Sequence, residues 1–148
     1  MTRVQRTRWA SAPSPTGRTQ SPITPSVAAT LTQIAKKKTR SNKVISKVGN
    51  SITVASTFLN CFSGSSVDLA GRTHLSPTVS HFKPSWSRKS LCATGGWPAF
   101  KALSGSPSPL AKEVAAASPR FAVVMYGTND IGYKNITRYA DNMLDITD

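Results

Sequence analysis

Acidic residues are what this sequence most lacks: no Asp or Glu precedes Asp68, and five of the six acids lie at Glu113 or beyond. Ten of the nineteen Lys and Arg residues precede Ser51, so the formal net charge of +13 belongs largely to an N-terminal segment and says little about the fold. Cysteine is scarce as well. With Cys61 and Cys92 alone there is no disulfide framework and no cysteine metal cluster, and both read as small apolar packing groups. His74 and His81 stand in an irregular stretch with no Cys or carboxylate at ligand spacing, so neither a metal site nor a cofactor is expected. No apolar run is long enough to span a bilayer, and residues 27–35, interrupted by Thr and Gln, make a poor signal-peptide core. Localisation is therefore unknown, with the cytoplasm as the default.

What remains is a chain of 148 residues, enough for one domain with a core but small for an open α/β sheet enzyme. Residues 1–40 read as a basic, largely disordered segment: residues 2–25 carry four prolines and scattered arginines with almost no apolar periodicity. Their Arg-, Ser- and Thr-rich composition is that of an organelle transit peptide, and equally that of any basic tail. Within the segment, residues 26–38 space Val27, Leu31 and Ile34 on one helical face, and Lys36 to Arg40 read as a solvated helix end.

The ordered domain is expected over residues 41–148. Residues 43–48 alternate polar and β-branched side chains as a strand does. Gly49 breaks the pattern, and residues 52–62 look helical. Residues 63–90 are rich in Ser, Gly and Pro and carry few regular signals. A helix over 97–103 and a stronger one over 109–118 precede Phe121 to Tyr126, a continuous apolar run of the kind buried on both faces of a parallel sheet. Ile136, Tyr139, Met143 and Ile146 then mark an amphipathic helix. Such an order argues for an α/β fold with a mostly parallel sheet.

Function in open α/β sheets gathers at the carboxyl ends of the strands. Two loops fall there: Gly49-Asn50-Ser51, and Gly127-Thr128-Asn129-Asp130. A Ser between a strand end and a helix N-terminus exposes its hydroxyl, and its backbone N–H points where an oxyanion would form. Taken singly, such a Ser is ordinarily a helix cap and such an Asn-Asp pair a turn.

Together the loops are more specific. Residues 47–53 (KVGNSIT) resemble the first block of SGNH/GDSL-type hydrolases, Gly-Asp-Ser followed by a small apolar residue and Thr, with Asn50 in place of Asp. Residues 127–130 (GTND) match the third block, Gly-x-Asn-Asp, behind an apolar strand. For the second block, a Gly after an intervening strand, Gly95 and Gly96 are available, Gly96 being preferred. This resemblance covers about two thirds of the chain and implies a three-layer α/β/α, flavodoxin-like SGNH hydrolase fold, truncated at its C-terminal end. It makes Ser51 the nucleophile on an ester carbonyl, with the oxyanion held by the Ser51 and Gly96 amides and the Asn129 side chain. Gly49, Asn50, Gly127 and Asp130 would support the loops.

One departure is serious. The family's Asp-x-x-His block has no counterpart, because no His follows Gly127 and Asp148 stands where His would be needed in 145–148. Without a base Ser51 is a poor nucleophile at neutral pH. The expected partner is an ester of a lipid, sugar or other small molecule, with self-association through an uncovered sheet edge. A non-catalytic or partner-completed binding domain is the first alternative. A basic nucleic-acid-associated protein is the second, disfavoured because no aromatics interleave with the charges.

Overall fold

The computed structural model describes residues 23–148. The chain divides into two units, residues 1–37 and 38–148. In the first, the described part is helix α1 (Pro25–Lys37), close to the expected bounds, with Lys36 and Lys37 in its last turn and no buried residue. The expectation of disorder over residues 2–25 falls almost wholly outside the described residues, as does the transit-peptide reading.

The second unit is mixed α/β. Strand β1 (Ser41–Gly49) pairs in parallel with β2 (Pro119–Met125), in register from Ile45 opposite Phe121 to Gly49 opposite Met125. Between the strands lie α2 (Ser51–Val54), α3 (Ser76–His81), α4 (Lys83–Trp86), α5 (Phe100–Leu103) and α6 (Pro109–Ala117), and after them α7 (Ile136–Thr147). Short 3-10 turns occupy Asn60–Ser63, Thr73–Leu75 and Ile131–Tyr133. Consecutive strand residues point to opposite faces. Ser46 donates to Glu113 of α6 at 2.6 Å, whereas the Lys47 ammonium donates to the Trp86 carbonyl of α4 at 3.0 Å, so helices cover both faces of β1.

On the face shared with Ser46, the core is Val48, Cys92, Ala99, Ala102, Tyr126 and Ile146, with Leu110, Val124 and Met143 packed against it. On the other face Trp86 is the anchor. Its ring lies 5.5 Å from that of Phe62 and 6.0 Å from that of Phe82, and its indole N–H donates to the Val79 carbonyl at 2.9 Å.

Several expectations change in detail. The helix expected over 52–62 stops at Val54, because Ile52, Thr53, Val54 and Thr57 are β-branched and poor helix formers; Leu59 then turns left-handed at φ 62°. The helix expected over 97–103 begins only at Phe100. Residues 63–90, unreadable by periodicity, hold α3 and α4, each started by a proline in its first turn. The apolar strand β2 is not buried on both faces. It has β1 on one side and no strand on the other among the described residues, and Phe121 is 48 % exposed. In α7, Tyr139, Met143 and Ile146 pack as expected, but Ile136 is exposed. Of the cysteines, Cys92 is buried and Cys61 is exposed.

Candidate functional site

Strand β1 ends at Gly49 for a steric reason. A Cβ there would overlap the Thr53 hydroxyl and lie 2.6 Å from the Met125 carbonyl oxygen. Beyond it, Asn50 is fully buried and caps α2, its side-chain oxygen accepting from the Ile52 amide at 3.1 Å. Ser51 follows as the first residue of α2 and is exposed. Among the described residues no group hydrogen-bonds its hydroxyl. The cap that a lone Ser would ordinarily supply is thus made by Asn50, and Ser51 is left unengaged.

The free edge of β1 receives a third segment at this end. Gly49 donates to the Cys92 carbonyl at 3.0 Å and accepts from the Thr94 amide at 3.1 Å, forming one parallel bridge with Ala93. The turn that follows, Thr94 to Trp97, closes with Trp97 N–H on the Thr94 carbonyl at 3.4 Å. A Cβ built on Gly95 would stand 4.0 Å from Ser51 Cβ. Gly95, rather than the preferred Gly96, is therefore the close neighbour of Ser51. Gly96 adopts φ +76° with open space around it, and neither glycine's amide donates a hydrogen bond.

The loop after β2 is tied to the same turn. The Asn129 side-chain amide donates to the Trp97 carbonyl at 3.1 Å, which spends one N–H and leaves the other uncommitted. Asp130 accepts from the Ala99 amide at 2.9 Å and from Gly127 at 3.1 Å, clamping the loop to the start of α5 and to itself. Gly127 takes φ +127°, which a side chain would strain, and the Tyr139 hydroxyl sits 3.4 Å from where its Cβ would be. The structure thus joins Gly49, Asn50, Ser51, Gly95, Asn129 and Asp130 through one turn at the carboxyl ends of parallel segments.

No base joins them. His81 hydrogen-bonds the Asn42 carbonyl at 2.8 Å, near the start of β1 and seven residues from its end, about 23 Å away along the strand. His74 lies in the Thr73–Leu75 turn. Asn135 caps α7 by accepting from the Arg138 amide at 2.9 Å.

Sequence reasoning missed the buried polar groups beneath the site. Glu113 is fully buried and ion-paired with Arg88; it accepts from Ser46 and, at 2.9 Å, from the Leu91 amide. Burial alone would raise its carboxyl, but the hydrogen bonds from Arg88, Ser46 and Leu91, with the Arg88 charge, outweigh it and hold the group below the usual carboxylate range. Burial, aided by the Arg88 charge, lowers the Lys47 ammonium. It also pushes the Cys92 thiol up to about 11, with Glu113 adding to the rise and the neighbouring Tyr126 hydroxyl opposing it. The Asn50 side-chain nitrogen and the Thr53 hydroxyl are buried without a hydrogen-bond partner. The signal for the ion pair was weak: a lone Glu in a run of alanines, where an amphipathic helix would place its apolar face.

Ser85 was also unforeseen. Its hydroxyl accepts from Ile45 N–H at 3.1 Å and donates to the Lys43 carbonyl at 3.0 Å, so a side chain does along this edge of β1 what a neighbouring strand would do. Among the described residues no group of His, Cys, Asp and Glu could hold a metal ion, and no helix is long and apolar enough to cross a membrane. No family model, curated protein or solved structure matches the chain.

Proposed function

We propose that residues 41–148 form an SGNH-type serine ester hydrolase domain of three-layer α/β/α, flavodoxin-like design, holding the nucleophile and oxyanion groups without a base among the described residues. The observation that carries this reading is the unengaged Ser51 hydroxyl at the end of β1, packed against Gly95, with Asn129 fastened to the same turn through Trp97. Helices on both faces of β1 support the fold assignment.

In the reaction, Ser51 Oγ bonds to the ester carbonyl carbon while the carbonyl π pair moves to oxygen. The amides of Ser51 and of Gly95, the glycine that lies against it, and the free N–H of Asn129 stabilise that oxyanion. Collapse expels the alcohol, leaving an acyl group on Ser51 that water then removes. The Ser51 proton has no hydrogen-bond acceptor among the described residues, so attack is slow unless a base is supplied. Substrates are small acyl or acetyl esters.

Imidazole added to the protein with p-nitrophenyl acetate tests this directly. Release of nitrophenol is expected to rise with imidazole well beyond the imidazole-only rate, and Ser51→Ala is expected to remove the excess. Identical rates for the two proteins at every imidazole concentration would sink the reading.

A further inference from the structure

Helix α1 carries its large apolar side chains on the outside. Val27, Leu31 and Ile34, together with Ile23 just before the helix, are 40 %, 51 %, 54 % and 53 % exposed, and the helix buries no residue at all. At 3.6 residues per turn Val27, Leu31 and Ile34 form one stripe, with Ala35 beside it and Lys36 on the opposite side. Lys37 closes helix α1 and Lys38 and Arg40 follow it, and the charge nearby in sequence is of one sign only, since no acid precedes Asp68.

Exposed aliphatic stripe and unopposed cations together select a surface that is apolar below and anionic above. We propose that α1 docks along the surface of an anionic lipid bilayer, Val27, Leu31 and Ile34 entering the acyl boundary and Lys36 to Arg40 meeting the headgroup phosphates. Nucleic acid would satisfy the cations but leave the stripe in water. A protein groove would ordinarily be gripped by aromatic anchors, and α1 has none. The docking is independent of the hydrolase reading, because it rests on residues 23–40 alone.

Co-sedimentation of the full chain with vesicles tests it. Vesicles of phosphatidylcholine and phosphatidylserine at a 7:3 ratio are expected to bind the protein about tenfold more tightly than phosphatidylcholine alone, as clustered lysines at a charged surface require. Leu31→Asp is expected to weaken binding about tenfold, whereas Ala29→Asp, the same charge change on the far side of the helix, costs less than about threefold. Replacing Lys36, Lys37 and Lys38 by Gln keeps the stripe and is expected to reduce binding about tenfold or more. Equal losses from Leu31→Asp and Ala29→Asp would overturn the proposal by showing a purely electrostatic tail. So would equal binding to the two vesicle types, unchanged binding of the lysine variant, or no binding to the mixed vesicles.

Discussion

The Glu113 carboxylate accepts the backbone amide of Leu91 at 2.9 Å, and through that bond helix α6 fixes the segment that runs beside Gly49. Arg88 and Ser46 converge on the same carboxylate. Removing one partner of a buried, hydrogen-bonded pair leaves the others uncompensated. Glu113→Ala is expected to lose about 3 kcal/mol of stability in urea unfolding, and Glu113→Gln, which keeps an acceptor for Leu91, less. Equal stability of Glu113→Ala and wild type would mean the cluster is not holding the fold.

The same group sets an acid limit. Its folded-state pKa lies below the ordinary value, so its stabilisation is fully present above the unfolded carboxylate range, about pH 4.3, and is lost as pH falls through the lower folded value. Urea midpoints of wild type are expected to drop across that interval more steeply than those of Glu113→Gln. Parallel curves for the two proteins would contradict the assignment.

Gly49 is expected to tolerate no side chain. In Gly49→Ala the new methyl overlaps the Thr53 hydroxyl and crowds the Met125 carbonyl, so about 3 kcal/mol should be lost to overpacking. Adding Thr53→Ala relieves only the first clash, and recovery is expected to be partial. Full recovery would show that the Met125 contact is not limiting.

The open side of β2 is expected to drive self-association. The run Phe121 to Met125 carries no charge, and Phe121 is half exposed beside an edge that no strand pairs among the described residues. Phe121→Lys should lower the light scattered at a given concentration, because a cation on an edge strand blocks edge-to-edge pairing. Unchanged scattering would place any association elsewhere.

Much of the second unit was legible, for reasons that particular residues make plain. Phe121 to Met125 announced a strand by continuous β-branched and apolar character, and Pro109 with the helix formers after it announced α6, whose cap the structure supplies in Ser108, accepting from the Ala111 amide at 3.2 Å. The loops at Ser51 and Asn129 were found from strand ends together with the motifs of residues 47–53 and 127–130. Burial was harder to read. Lys47 alternates with Val48 as a solvent-facing residue would, yet its ammonium is taken up by Asn60 and Trp86, partners outside any local pattern. Helices α3 and α4 are too short to show a period, so only Pro77 and Pro84 marked them. Gly95 and Gly96 are adjacent and chemically alike, and only the backbone path decides which one approaches Ser51.

The pairing of Ile45 with Phe121 joins positions 76 residues apart, and every rung of the ladder is similarly remote. A growing polypeptide emerges at about 5–20 residues per second, so β1 waits several seconds on the ribosome before its partner exists. Local helices cannot shorten that wait, since none of those between the strands exceeds nine residues. Folding of this domain is thus expected to be late, slow for its size and concerted, with Ser51 assembled into its site only after β2 has been made.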